Sequence, residues 1–479
     1  MMKTMNTKLI STLSAFALCA GALHVNAQVQ IAPIFKDNMV LQQQTDAPIW
    51  GRALPGLTIS VTVSWQENAI ETKVSKDSTW RLVIPTPGAS YDPQQITVSA
   101  DGRSRTFSNV LIGEVWLCSG QSNMEMPMKG YSSQPILGGQ DAIVHSKNDF
   151  LRCFTVGKAM TLQEQESCTG RWESASPNTT AEFTATGYYF ARLLQEVLDV
   201  PVGIIHSSAG GSAIEAWIPH EAFTREFPKI AIPNDISREK KKVLVPTVLY
   251  NAMIHPIAGY AIRGAIWYQG EANVGRYQEY PRMFAAMHDA WTKRWGGKRF
   301  PIYLCQIAPF RFSDQAGNAF LREAQMKIAQ TQPDTGIAIL MDTGEQNCIH
   351  PANKQVAGER LAYIALARNY GFPNLPYRAP EFRRAEYADG KATLIFDHTG
   401  SGFTSFGQPL TGFELAGADR VFHPATAAIV NGKIVVESSQ VPDPVAVRYA
   451  FRGYIRGSLY GSNGLPVSSF RSDNWDDVR

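Results

Sequence analysis

A serine follows a strongly apolar, strand-like segment and has two competing interpretations. Residues 118–128 read "CSGQSNMEMPM", and the segment before them reads "NVLIGEVWL". Ser122 in this run is a candidate nucleophile for acyl transfer. The same serine also fits a capping box with Glu125, in which both side chains satisfy free N–H groups at a helix start. On local spacing alone the cap is favoured, because such boxes are common sequence signals.

Three further polar loops contain the other groups that acyl transfer needs, namely a base and donors for the developing oxyanion. "GIIH" leads into a loop with Gly210 and Gly211, whose N–H groups can point inward because glycine lets a loop approach closely. "GAIWY" leads into a loop with Asn273, a side-chain N–H donor, and a fourth loop contains His350, the candidate base. Each residue alone also fits a turn or a helix start. Their joint occurrence at successive strand ends favours a hydrolase site.

A parallel sheet would bring these loops together, since ligands of open α/β sheets bind beyond the carboxyl ends of the strands. Residues 109–372 alternate apolar strand-like segments with helical ones, which predicts an α/β domain with helices on both faces of a parallel sheet. The clearest predicted helices are 186–200, 279–297 and 351–371. The absence of a GxSxG motif argues against an ordinary α/β-hydrolase.

Other regions flank this domain. Short β-branched or alternating runs predict a small β-sandwich-like domain at residues 28–108 and a β-rich C-terminal region at 373–479. Residues 1–27 contain two lysines, a short apolar run and a small-residue cleavage site. This pattern is typical of a secretory signal peptide, so the mature protein is expected to be exported to the periplasm or the extracellular space.

Composition excludes several functional classes. The net charge of +3 is small for 479 residues, which gives no indication of binding to nucleic acid or to a membrane surface. No apolar run reaches the roughly 20 residues of a membrane span. Neither CxxC nor HExxH occurs, so no metal site is expected. Five of the six cysteines follow the leader, and Cys153 and Cys168 are the candidate disulfide pair.

Four longer motifs resemble the sialate O-acetylesterase family of SGNH hydrolases. They read "GEVWLCSGQSNMEMPM", "GIIHSSAGGSAIEAWIP", "LYNAMIHPIAGYAIRGAIWYQGEANV" and "IHPANKQVAGERLA". Flanking segments such as "IFKDNMVLQ" and "GLPVSSFRSD" resemble the family too, so the resemblance covers nearly the whole mature chain. It implies a three-layer α/β/α esterase domain beside β-rich parts. It also implies O-acetylated sugars as substrates and no metal or organic cofactor.

The resemblance assigns roles to individual residues. By the family pattern Ser122, rather than Ser119, is the nucleophile and His350 is the base. Gly210 or Gly211 and Asn273 match oxyanion-hole positions. Further residues of the same motifs are predicted to contact the substrate: Gln121, Gln269, Glu271 and Trp217.

One position departs from the family pattern. Many relatives have an aspartate two residues before the histidine, where this chain has Cys348. The candidates to orient the imidazole instead are Asp342, Glu345, Asn347 or a backbone carbonyl. With none of them, the enzyme works as a Ser–His dyad or is impaired. Cys348 is a poor alternative nucleophile, because neighbours in a loop rarely face each other.

The sequence thus predicts an exported serine esterase that removes O-acetyl groups from sugars through an acetyl-enzyme. O-acetylated sialic acids are the favoured substrates. Two alternatives stay open: a deacetylase of plant glycans such as xyloglucan or xylan, and a glycan-binding protein with an inactive esterase site. No sequence feature indicates an oligomeric state.

Overall fold

The computed structural model describes residues 29–312 and 317–476. The predicted signal peptide, residues 1–27, lies outside the described residues and stays a prediction. The predicted domain divisions at residues 108 and 372 stay predictions as well.

Seven short strands come first, as the alternating pattern predicts. They are β1 (Gln30–Ile31), β2 (Val40–Gln42), β3 (Asp46–Arg52), β4 (Thr58–Val63), β5 (Ile70–Lys73), β6 (Thr79–Pro85) and β7 (Ser90–Ala100). β3 pairs antiparallel with β1 and β6, and β4 pairs antiparallel with β5 and β7. Buried and exposed residues alternate along β6, because successive side chains of a strand point to opposite faces.

An 18-residue strand, β8 (Arg103–Gly120), joins this region to the central sheet. Its first part pairs with β7, and residues 111–113 pair with β2. Its last seven residues, 114–120, lie between two strands of the central sheet. The predicted boundary at residue 108 therefore falls within one continuous strand.

The central sheet contains β8 and six further strands. These are β9 (Asn148–Thr155), β10 (Trp172–Ala175), β11 (Val202–Ser208), β12 (Gly264–Tyr268), β13 (Ile302–Cys305) and β14 (Thr335–Ala338). The order is β10-β9-β11-β8-β12-β13-β14, and all neighbours are parallel except β10 and β9. After β8 the chain builds β9 and β11 on one side and then crosses to β12 on the other. The carboxyl end of β8 is therefore a topological switch point, where ligands of such sheets bind.

Helices cover both faces of this sheet, so the predicted three-layer architecture is confirmed. The helices are α1 (Ser122–Glu125), α2 (Gly139–Val144), α3 (Pro177–Thr180), α4 (Ala185–Leu198), α5 (His220–Glu226), α6 (Tyr280–Arg294), α7 (Gly317–Thr331) and α8 (Lys354–Asn369). Short 3₁₀ or π turns occupy Ile214–Trp217, Lys242–Leu244, Tyr250–Ile254, His255–Ile257 and Glu271–Arg276. α4 and α8 share one apolar core, and α6 and α7 contribute to another. The sequence pattern predicts α4, α6 and α8 but not α7.

The C-terminal region is β-rich, as predicted. Its strands are β15 (Glu381–Ala388), β16 (Lys391–Asp397), β17 (Phe403–Thr404), β18 (Phe413–Ala416), β19 (Phe422–Val430), β20 (Lys433–Glu437), β21 (Ala446–Tyr449), β22 (Tyr460–Gly461) and β23 (Phe470–Arg471). Seven of them form an antiparallel sheet in the order β15-β16-β20-β19-β18-β21-β23. In residues 29–312 and 317–476, no helix is long and apolar enough to cross a membrane.

The candidate disulfide between Cys153 and Cys168 is not formed, and both residues are free thiols. Cys153 is buried in the apolar core that α4 and α8 share. Cys168 packs against the other core. The two thiols thus face different cores, and the short sulfur–sulfur distance of a disulfide is not reached.

Candidate active site

The nucleophile candidate lies where the chain leaves β8. Gly120, the last residue of that strand, has φ of +133°. A Cβ on Gly120 would lie 2.2 Å from the Tyr268 carbonyl oxygen of β12, so this close approach requires glycine. Gln121 then donates its backbone N–H to the same carbonyl at 2.9 Å. These contacts fix the start of the loop that presents Ser122.

Ser122 is hydrogen-bonded to a histidine and does not cap a helix. Its Oγ lies 2.7 Å from His350 Nε2. The N-cap of α1 is Gln121, which makes no side-chain cap bond. The Glu125 carboxylate points elsewhere, toward Gly210 and Lys158. The capping-box alternative is therefore wrong.

The imidazole of His350 is held by a residue that the sequence analysis missed. Its Nδ1 lies 2.6 Å from Oε1 of Gln134. Together with the Ser122 contact, this favours the tautomer in which Nδ1–H donates to Gln134 and Nε2 accepts the serine proton. Tyr131 packs edge-on against the same imidazole, with ring centroids 5.3 Å apart.

A tight turn supplies both Tyr131 and Gln134. Their backbones form two reciprocal N–H to carbonyl hydrogen bonds of 3.0 Å. Ser133 between them has φ of +59°, the left-handed conformation that such turns use. The only sequence signal for this arrangement is the polar run "GYSSQP" shortly after the nucleophile motif.

None of the candidate orienting side chains approaches the imidazole. Asp342 forms a two-bond ion pair with Arg360. Glu345 accepts the backbone N–H of Ala352 at 2.7 Å, and Asn347 accepts a bond from an arginine side chain at 3.3 Å. A backbone carbonyl does not take the place either, because Gln134 occupies Nδ1.

Cys348 also faces away from the reacting atoms of the histidine. Its Sγ donates to the backbone carbonyl of His350 at 3.2 Å. The thiol therefore contributes to the shape of the loop. It contacts neither imidazole nitrogen.

Burial and a nearby cation keep His350 neutral. Desolvation, followed by the charge of Lys354, lowers the pKa of His350 to about 4. Among the residues that the structure describes, the ring nitrogens contact Gln134 and Ser122, which are uncharged, and no carboxylate opposes this shift. At neutral pH the imidazole is therefore unprotonated and able to accept the proton of Ser122.

The glycine pair is only partly available for an oxyanion. The Gly210 N–H donates to Glu125 Oε2 at 2.5 Å, and Lys158 pairs with the other oxygen of that carboxylate at 2.7 Å. Gly210 still borders the nucleophile, since a Cβ on it would lie 3.5 Å from Ser122 Cβ. Its predicted role as an oxyanion donor conflicts with this bond, because the N–H already has an anionic acceptor. Within the described ranges, the Gly211 N–H has no acceptor.

Asn273 is fully buried and its amide has a fixed orientation. Its Oδ1 accepts hydrogen bonds from Ile214 N–H at 3.0 Å and from Gln269 Nε2 at 2.8 Å. Its Nδ2 donates to Glu215 Oε2 at 2.9 Å. A side-chain amide nitrogen carries two hydrogens, so one remains for a ligand. The oxyanion role of Asn273 stays a prediction.

The other predicted substrate contacts are buried and hold loops together. Trp217 and Gln269 have no exposed surface, and Gln121 is only 2% exposed. Trp217 donates to Ser212 Oγ at 3.0 Å, and Gln121 Oε1 accepts the Gly270 N–H at 3.1 Å. These buried side chains therefore position the loops around the site, and their direct contact with a sugar stays a prediction.

Glu271, the fourth predicted substrate contact, is also almost fully buried, with 8% of its surface exposed. Its Oε1 accepts a hydrogen bond from Asn123, the residue after the nucleophile, at 2.7 Å. It therefore belongs to the network beneath the site.

The chain is similar in sequence and in structure to known proteins. The family model for sialic acid-specific acetylesterases among the carbohydrate esterases matches residues 112–365. Sialate O-acetylesterase from Homo sapiens is 29% identical over 410 residues, which is 76% of this chain and 76% of the human protein. The Mus musculus enzyme is 28% identical, over 77% of this chain and 79% of its own. A carbohydrate acetylesterase from Xanthomonas citri has a crystal structure that matches with a TM-score of 0.85 and 36% identity, covering 94% of this chain and 100% of that one.

Proposed function

The chain belongs to the carbohydrate esterase family of sialic acid-specific acetylesterases, and we propose that its substrates are O-acetylated sialic acids. As a family member it is a carboxylic ester hydrolase that removes O-acetyl groups from sugars. The preference for sialic acids is supported by the family description and by the sialate O-acetylesterases it is similar to.

For the catalytic residues, we propose Ser122 as nucleophile, His350 as base and Gln134 as the group that orients the base. The observation that carries this assignment is the unbroken hydrogen-bonded chain of 2.7 Å from Ser122 Oγ to His350 Nε2 and 2.6 Å from Nδ1 to Gln134. These three residues come from three different loops. Side chains from separate loops converge in this way where a reaction needs them in contact.

The proposed reaction has two halves. His350 Nε2 takes the proton of Ser122 while Oγ attacks the acetyl carbonyl carbon. The tetrahedral oxyanion is received by the free N–H of Asn273 and by a backbone N–H of the glycine loop. Collapse breaks the bond to the sugar oxygen, which leaves with the proton from the imidazolium. His350 then deprotonates a water that attacks the acetyl-enzyme, and acetate leaves as Ser122 regains its proton.

Gln134 takes the place at Nδ1 that a carboxylate has in most serine hydrolases. Its amide oxygen can fix the tautomer and the ring orientation, but it adds no charge to stabilise the imidazolium. The alternative of a glycan-binding protein with an inactive site rested only on the missing aspartate. Since another acceptor contacts Nδ1, that alternative loses its support.

Substitution of Ser122 tests the nucleophile. Ser122→Ala should lose several orders of magnitude in acetate release, with an unchanged unfolding temperature, because the hydroxyl caps no helix. Ser208 offers a matched control, since its Oγ lies 2.5 Å from another buried histidine nitrogen, His206 Nε2. Ser208→Ala should keep most activity. A fluorophosphonate probe should label wild type and Ser208→Ala but not Ser122→Ala, and labelling of Ser122→Ala would reject the assignment.

A substrate panel tests the sugar. Purified enzyme is incubated with O-acetylated sialic acids, acetylated xyloglucan fragments and acetylated xylan fragments, and kcat/KM is measured for each. The highest value is expected for a sialic acid. A higher value for a plant glycan would replace the proposed substrate while leaving the esterase chemistry intact.

We also propose that the protein is exported to the periplasm or the extracellular space. The support is the leader pattern, with Lys3 and Lys8 before a short apolar run and small residues before Gln28. N-terminal sequencing of the protein from a periplasmic or secreted fraction should begin at Gln28. Full-length protein confined to the cytosol would contradict export.

A further inference from the structure

A buried amide beneath the active site joins the loops that carry the reacting groups. Asn123 directly follows the nucleophile and is 1% exposed. Its Nδ2 donates to Glu271 Oε1 at 2.7 Å and to the backbone carbonyl of Ile349 at 3.1 Å. Ile349 precedes the base, and Glu271 begins the turn that contains Asn273. One side chain therefore connects the nucleophile, base and oxyanion loops.

A buried lysine donates a hydrogen bond to the Asn123 side chain. Lys354, the first residue of α8, is 1% exposed, and its Nζ donates to Asn123 Oδ1. The ammonium also lies 5.6 Å from the centroid of the Tyr268 ring, at the end of β12. Burying an ammonium is costly unless it is paired and hydrogen-bonded. Here the fold buries one directly under the catalytic loops.

The charged and titratable groups around the lysine belong to several elements. Burial lowers the pKa of Lys354 to about 8, while the charges of Glu271 and Glu345 favour its protonated form. Oε2 of Glu271 is buried and has no hydrogen-bond partner within residues 29–312 and 317–476. His350 lies in the loop before α8. The charge of the lysine disfavours the protonated form of the His350 imidazole.

We propose that Lys354 is a positioning residue for the reaction, which holds Asn123 and through it the relative placement of Ser122, His350 and the Asn273 loop. The inference rests on the proposed function and extends it to a residue that contacts no substrate. Because a displacement of about 1 Å in a catalytic group can cost about 100-fold in rate, loss of this anchor should lower kcat rather than weaken binding.

The lysine also has an electrostatic effect with a definite sign. Its positive charge opposes protonation of the imidazole, so removing that charge raises the pKa of His350 and moves the acid limb of the rate profile to higher pH. Burial raises the pKa of the Glu271 carboxyl above its ordinary value. The lowered pKa of His350 is caused by burial and by Lys354, not by Glu271, so Glu271→Gln should leave the acid limb in place.

The experiment compares Lys354→Met with wild type, Glu271→Gln and the exposed-lysine control Lys293→Met. For Lys354→Met we expect kcat on one acetyl ester to fall by about 10- to 100-fold with little change in KM, and the acid limb to move to higher pH. Lys293→Met should match wild type in kcat and in the position of the acid limb. If Lys354→Met folds poorly because a lone carboxylate is buried, the double variant Lys354→Met/Glu271→Gln is used, with the same expectation.

Several outcomes overturn the inference. One is a kcat within about twofold of wild type, and another is a loss of kcat without movement of the acid limb, which would indicate a structural role only. Failure of both the single and the double variant to fold would also assign Lys354 to stability. The proposed function fails separately, through wild-type activity that does not depend on Ser122.

Discussion

Gln134 is the residue whose substitution tests the catalytic geometry most directly, because its amide oxygen lies 2.6 Å from His350 Nδ1. Gln134→Ala removes the acceptor and leaves a partly buried N–H without a partner. A hydrogen bond to a group that becomes charged contributes about 1.5–3 kcal/mol. Because the imidazolium forms during attack, this loss should appear in kcat as a decrease of about 10- to 100-fold.

Gln134→Glu is the complementary change, because it adds the missing charge at the same atom. An opposite charge at hydrogen-bond distance typically shifts a pKa by about 1–3 units. A carboxylate favours the imidazolium, so the pKa of His350 should rise from about 4 to roughly 5–7, and the acid limb should move to higher pH. The same stabilisation acts on the imidazolium in the transition state. At pH 8 we expect kcat to rise by at least about tenfold.

The assay is kcat as a function of pH between about 3 and 9 on one acetyl ester. Gln140, an exposed glutamine of α2, offers the control, and Gln140→Ala should match wild type. A Gln134→Ala variant with kcat within about twofold of wild type would refute the orienting role. An acid limb that stays in place for Gln134→Glu would show that residue 134 does not contact the imidazole in solution.

Three further predictions follow from the same structure. Asn273→Ala should lower kcat by about 10²–10³-fold with a smaller change in KM, and an effect on KM alone would mean that the amide only binds substrate. Cys348→Asp should leave kcat similar or lower, because its side chain faces the His350 carbonyl, and a large gain in kcat would contradict the Gln134 assignment. Burial lowers the pKa of His206 to about 4 from 6.5, so the unfolded chain binds more protons between these values and stability should fall as pH decreases through this window. Chemical denaturation at pH 7 and pH 4.5 measures this loss, which should be smaller in His206→Gln, and an equal loss in both would exclude His206 as its source.

Local sequence patterns accounted for much of the fold and for the two principal reacting residues. The alternation of apolar segments predicted the parallel sheet and three of the helices around it, and the motifs placed Ser122 and His350 at its strand ends. The prediction succeeds because the carboxyl ends of parallel strands meet at one edge of a sheet. A residue that directly follows such a strand therefore lies at that edge.

Sequence patterns are least informative for residues whose surroundings are supplied by distant parts of the chain. Trp217 belongs to a motif at a loop, yet its ring lies in the core against Trp267. Cys153 and Cys168 are close in sequence but contribute to different cores. Gly210 was predicted to offer a free N–H, but this N–H already donates a hydrogen bond to the Glu125 carboxylate. Neither residue type nor spacing contains this information.

The family, the chemistry of the reacting groups and the layers of the central domain are readable from the amino-acid order, because they follow from local periodicity and from motifs of adjacent residues. The group that supports the base is visible only in the folded chain. Gln134 lies 216 positions from His350 and reaches it through a turn with a left-handed serine. Lys354 and Glu271 meet at Asn123 only after three loops pack against one another. Such contacts depend on strand register and loop geometry across the whole domain, and no local pattern records them.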